Sequence, residues 1–242
     1  MRDFSNTYIF VFSTVMIVIV AVLLSSAAML LQPLQKRNVE LEKKQSILAS
    51  IRVEASRKEA EKLYDKYITG SFVVNAKGER VDGVEAFGID MAAEIRKPVG
   101  ERHLPLYIAT LDDGSHKVIV PVRGKGLWGP VYGYISFNDD YNTIYGATFG
   151  HDKETPGLGA EIATRPFQEQ FVGKRIFDEQ GDFVSIRIVK GGAAPDDPHG
   201  VDAISGGTLT SKGLEATIRD CLSGYVAYFK KQQKQKMTAN DE

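Results

Sequence analysis

The apolar positions crowd into the first part of the chain. No charged residue occurs from Phe4 to Gln35, and Tyr8 to Leu31 is almost wholly apolar. A helix needs about 20 such residues to cross a bilayer, whereas a secretory apolar region runs only about 7–15. The pattern therefore predicts one uncleaved membrane-spanning helix. Asn38 to Asp65 follows, highly charged and free of Gly and Pro, with Leu41, Leu48, Ile51, Ala55 and Leu63 only approximately at helical spacing. Glu40–Lys44 and Glu54–Lys58 place an acid four residues before a base, the favourable helical order. This stretch reads as a solvated juxtamembrane helix.

From Thr69 the pattern changes to short β-rich segments. Ser71–Val74 and Glu79–Val81 flank Asn75-Ala76-Lys77-Gly78, and Leu106–Leu111 and His116–Val122 flank Asp112-Asp113-Gly114, which are two hairpin signals. Val131–Phe137, Thr143–Phe149 and Phe183–Val189 read as further strands, with short helices at Ile89–Ile95 and Pro166–Phe171. Ser211–Lys231 carries Leu214, Ile218, Cys221, Leu222, Tyr225 and Phe229 on one helical stripe. The order predicts an α+β domain around an antiparallel sheet with flanking helices. The expected organisation is an anchor over 1–37, a stalk over 38–68 and a folded domain over 69–242.

Composition narrows the chemistry. With 30 Lys+Arg against 31 Asp+Glu in 242 residues, the chain lacks the basic excess of a nucleic-acid binder. A single cysteine excludes an intrachain disulfide or a Cys-rich metal site, and Cys221 on the helical stripe reads as a small core residue. His151, Asp152 and Glu154 are close neighbours on a loop without further converging ligands, so no metal site is expected. There is no Gly-x-Ser-x-Gly elbow.

The richest stretch is Asp202–Gly213, which leads into the last helix with Ser205, Gly206, Gly207, Thr208, Thr210 and Ser211. Free N–H groups at a helix N-terminus favour a phosphate, and glycine lets the backbone approach an anion. A simple capping turn is the competing reading, because Ser and Thr are also preferred caps.

Asp202-Ala203-Ile204-Ser205-Gly206-Gly207-Thr208-Leu209-Thr210 resembles the flavinylation motif of the FMN-binding domain family, usually written with Ser/Thr-Gly-Ala-Thr at its centre. Gly207 departs from the usual Ala. Glu154-Thr155-Pro156-Gly157-Leu158-Gly159 resembles a second signature of that family, and Gly124-Lys125-Gly126-Leu127-Trp128-Gly129 its Gly-Leu-Trp turn. Together with the N-terminal span, the three motifs in order resemble the family of C subunits of sodium-translocating NADH:quinone reductases. The G subunits of Rnf electron-transport complexes share the flavinylation motif, and a membrane-anchored flavin-binding sensory or assembly module is a further alternative.

The resemblance implies FMN joined by a phosphodiester to Thr208, with Thr210 the competing attachment point and Asp202 the motif aspartate. It further implies that Trp128, Leu127 and Leu158 meet the isoalloxazine, that Gly157 and Gly159 shape a loop beneath it, and that Glu154 and Thr155 meet its polar edges. It implies partner subunits of a membrane NADH:ubiquinone oxidoreductase, a flavin transferase for maturation, and a flavin domain on the outer face of the bacterial inner membrane. The flanking charges oppose that orientation: only Arg2 precedes the span, whereas Lys36, Arg37, Lys43 and Lys44 follow it.

Overall fold

A computed structural model describes residues 5–240. The chain divides into two compact units, Met1–Lys43 and Lys44–Glu242. The first holds most of α1 (Asn6–Ser50), a helix long and apolar enough to cross a membrane, with an 18-residue window of mean hydropathy 2.7. Its apolar side chains are exposed.

The second unit is built on a six-stranded antiparallel sheet in the order β2-β1-β3-β4-β5-β6. Its strands are β1 (Ile68–Val74), β2 (Arg80–Val81), β3 (Leu104–Thr110), β4 (His116–Lys125), β5 (Pro130–Phe137) and β6 (Ile144–His151). Helices α2 (Ala60–Tyr67), α3 (Met91–Glu94), α4 (Arg165–Glu169) and α5 (Thr208–Asn240) flank it. This is the α+β architecture the sequence predicts.

Both faces of the sheet are covered, which is why β4 reads as a continuous apolar run instead of alternating. Val118, Val120 and Val122 point into a core with Leu214, Ile218, Leu222, Tyr225 and Phe229 of α5, and Ile119 points into a second core. Gly213 sets the close seat of α5 on β4: a Cβ there would lie 2.5 Å from the Lys125 carbonyl oxygen. Cys221 is buried on α5 between the Arg123 N–H and C=O, and burial pushes its thiol up to about 11, so it behaves as a core residue.

The second core differs from the expected solvated stalk. Ile47, Leu48 and Ile51, at the end of α1, are fully buried against Tyr107, Ile119 and Tyr134 of the sheet. The helix expected over 38–65 is broken because α1 stops at Ser50 in a two-bond cap. The Val53 N–H donates to the Leu48 carbonyl at 3.0 Å and the Arg52 N–H to that of Ala49 at 2.9 Å. Arg52 holds the left-handed position, φ 64°, usually given to glycine, so no glycine marks the stop.

Phe183–Val189 is also shorter than expected. Only β7 (Arg187–Val189) is a strand, paired in parallel with β8 (Gly200–Asp202). Ser185 at φ 63° breaks the extended run before it.

These contacts predict that residues 44–242, expressed without the apolar helix, unfold in one cooperative step in urea. A fragment beginning at residue 69 uncovers Tyr107, Ile119 and Tyr134 and should aggregate. In the longer fragment, Leu48→Ala should lower stability by about 2–5 kcal/mol; a loss near zero would show that the helix end contributes nothing to the core.

Candidate functional site

Three segments meet at one end of the sheet. The turn from β4 to β5 is closed by a 2.8 Å bond from the Gly126 N–H to the Gly129 carbonyl. The loop after β6 folds on Thr155, whose carbonyl accepts the N–H groups of Leu158 and Ala160, each at 3.1 Å. The third segment is the start of α5, where the Ser211 N–H donates to the Gly207 carbonyl at 2.9 Å. The N–H groups of Thr208, Leu209 and Thr210 precede that first bond and have no acceptor within the helix.

One side chain joins all three. Glu154 is only 4% exposed. Its Oε1 accepts the Trp128 N–H at 2.9 Å and its Oε2 accepts the Thr210 hydroxyl at 2.6 Å. Burial works to raise its pKa, but the Thr210 hydroxyl and the N–H groups of Trp128, Gly129 and Leu127 outweigh it and hold the carboxyl below the usual carboxylate range. Gly159 reserves the room for this contact, because a Cβ there would collide with Thr210 Oγ1 and Glu154 Oε2.

The three segments wall a cleft of about 330 Å³, lined by Leu127, Trp128, Glu154, Thr155, Leu158, Gly159, Gly206, Gly207, Thr208, Leu209 and Thr210. Among the described residues from Lys44 onward, the large apolar side chains left exposed are Leu127, Trp128, Leu158, Leu209 and Met237. Four of these five rim the cleft. Trp128, 65% exposed, is no core tryptophan. An apolar rim around free helix N–H groups suits a ligand that has a flat ring at one end and a phosphate at the other.

The model of the FMN-binding domain family matches residues 126–223, a range that holds all three segments. The C subunit of the Na(+)-translocating NADH-quinone reductase of Vibrio vulnificus is 34% identical over 214 residues, 82% of this chain and 83% of that protein. The chain belongs to this family of C subunits. The family member from Pseudomonas aeruginosa is 33% identical and covers 87% of this chain and 89% of its own. The crystal structure of the Parabacteroides distasonis member superposes with a TM-score of 0.76 at 45% identity, over 82% of this chain and 96% of that one. NqrC of Shewanella oneidensis superposes with a TM-score of 0.70 at 26% identity, over 83% and 99%.

Most residues singled out from the family motifs line the cleft. Three do not. Asp202 lies on β8, where its Oδ1 accepts the Ala193 N–H at 2.8 Å and its own N–H donates to Gln170 Oε1 at 2.7 Å, so it fixes the approach to the motif. Ser205 and Gly157 are exposed and absent from the lining. Thr210 and Thr208 part company: Thr210 is buried with its hydroxyl given to Glu154, whereas Thr208 is half-buried at the cleft wall. Glu154 meets the protein itself through both carboxylate oxygens.

The departure from the family motif at Gly207 has a local cause. A Cβ there would come 2.9 Å from Cγ2 of Ile204, a stiff β-branched side chain. Leu209, 62% exposed in the cleft, was not among the candidates. Its one signal is that it lies off the buried stripe of α5.

The lowered pKa of Glu154 makes stability depend on pH with a definite sign. The folded carboxyl holds its proton less tightly than the unfolded one, whose ordinary value is 4.5. Its contribution is therefore full above that value and drains away as the pH falls below it. Urea unfolding of Glu154→Gln should show a smaller loss of stability between about pH 5 and pH 3 than the unsubstituted chain. An identical pH dependence in both would contradict the buried, ionised carboxylate.

Proposed function

We propose that this chain carries FMN, joined by a phosphodiester to Thr208, as an electron-transfer subunit of a sodium-pumping membrane NADH:ubiquinone oxidoreductase. Bound there, FMN would supply the ability to take up and release electrons. The observation that carries the reading is the division of labour between the two motif threonines. Thr208 lines the cleft at the first position of α5 with no hydrogen bond to its hydroxyl among the described residues, while the hydroxyl of Thr210 is held by a buried carboxylate.

The residues present fit the group. The free N–H groups of the first α5 turn and the positive end of the helix offset a phosphate's charge. Trp128, Leu127, Leu158 and Leu209 offer apolar surface to a flavin ring. Gly206, at φ 73°, lets the turn pass over Leu158, since a Cβ there would lie 2.6 Å from Leu158 Cδ2. The rim is open to solvent, which suits electron exchange with a redox partner and not the enclosure of a substrate.

The apolar helix anchors the domain in the inner membrane of a bacterium. On this reading the domain lies on the outer, periplasmic face, where a flavin transferase loads it, and the NADH, quinone and sodium sites belong to partner subunits. The post-span lysines and arginine are a weak counter-signal, because long domains translocate largely regardless of flanking charge.

The test is the flavin fluorescence of the denatured band from cells that contain the transferase. Thr208→Val should be dark yet folded, because a half-buried hydroxyl contributes about 1 kcal/mol or less. Thr210→Val should stay fluorescent but lose about 1.5–3 kcal/mol, the scale of a hydrogen bond to a charged group. A fluorescent Thr208→Val, or a dark and folded Thr210→Val, contradicts the assignment.

A further inference from the structure

Glu154 places a negative charge in the wall of the cleft, and no ion pair among the described residues neutralises it. Its carboxylate is held by a hydroxyl and by backbone N–H groups, all neutral donors. Among the described residues no Lys, Arg or His side chain forms an ion pair with it. The carboxylate is fixed at both oxygens, so it cannot swing away when another negative charge enters the cleft. The side chain is only 4% exposed, and an electrostatic interaction is stronger at such a site than at the open surface.

We propose that Glu154 is a potential-setting residue, whose fixed charge opposes electron uptake by a flavin held in this cleft and so lowers its reduction potential. The inference rests on the proposed flavin site and adds to it the control of how readily that site accepts electrons. The positive end of α5 acts in the opposite direction. Its contribution is common to the unsubstituted chain and to variants of Glu154, so substitution isolates the carboxylate.

Glutamine suits the test because it keeps the shape and the bonds. Its carbonyl oxygen can accept the N–H groups that Oε1 accepts, and its amide can donate to the Thr210 hydroxyl, which accepts as well as donates. Thr210→Val makes the complementary change. It disturbs the same contact but keeps the charge, now with one donor fewer to spread it.

The measurement is a spectroscopic redox titration of the flavin-loaded full-length chain in detergent, with circular dichroism as the folding control. At a fixed applied potential near the midpoint, Glu154→Gln should raise the ratio of reduced to oxidised flavin about tenfold, equivalent to 29.6 mV for a two-electron couple. Thr210→Val should lower that ratio. An unchanged or lowered ratio in Glu154→Gln overturns the proposal, as does an equal rise in both variants, which would indicate a loosened site and not a lost charge.

A folded Glu154→Gln that carries no flavin also overturns it, by making the carboxylate a loading element. If Glu154→Gln does not fold, Thr210→Val decides: a lowered ratio supports the proposal, and an unchanged or raised one overturns it. A loaded unsubstituted chain with unshifted variants sinks this inference alone. A colourless unsubstituted chain sinks the flavin reading and this one with it.

Discussion

The buried carboxylate of Glu154 holds together segments that lie far apart in the chain. Residues 127–129, 154 and 210 come from a strand turn, a loop and a helix start, and all depend on its two oxygens for their mutual position. Removing it would leave the N–H groups of the turn and a buried hydroxyl without their acceptor, an expensive outcome for buried polar groups. The room around it is made by small residues: Gly159 admits the Thr210 hydroxyl, and Gly213 lets α5 lie close enough to β4 for that hydroxyl to arrive. The half-buried threonine at the cleft wall and the apolar rim are consequences of this arrangement. With Thr210 engaged in structure, Thr208 is the hydroxyl left at the cleft.

A comparable arrangement covers the other face of the sheet. The last turns of α1, with Ile47 and Leu48, and Ile51 just beyond form part of the second core, and the α1 cap at Arg52 redirects the chain toward α2. Most of the residues that read as a solvated spacer thus belong to the folded unit, which begins at Lys44. The polar positions between the apolar ones obscured this, because a helix that lays only a narrow stripe on a sheet keeps most of its surface charged.

Patterns with a short period were legible in the sequence: the membrane-length apolar run, the hairpins around Asn75–Gly78 and Asp112–Gly114, and the stripe on α5. The motif residues of the cleft were legible too, through family resemblance more than through physics, since a Gly/Ser/Thr cluster before a helix also suits a plain cap. What stayed hidden depends on partners distant in sequence or on backbone geometry without its usual residue. Arg52 takes a position that glycine would have advertised. The parallel pairing of β7 with β8 joins two three-residue strands that carry almost no periodic signal. The structural role of Glu154 is another case, because nothing local reveals that Trp128 and Thr210 converge on it. Leu209 looked incidental because an exposed leucine means little until Leu127, Trp128 and Leu158 are seen beside it.

The proposed function stands or falls on Thr208, and no neighbouring hydroxyl, being the attachment point for the flavin phosphate. Trypsin should release residues 191–212 as one peptide, bounded by Lys190 and Lys212 and containing Ser205, Thr208, Thr210 and Ser211. Fragmentation mass spectrometry of that peptide, taken from protein matured in cells with the transferase, locates the modification directly. The expected outcome is the mass of FMN less one water on the fragments that contain Thr208, and on none that exclude it. An unmodified peptide, or the same added mass on Thr210, Ser205 or Ser211, would contradict it.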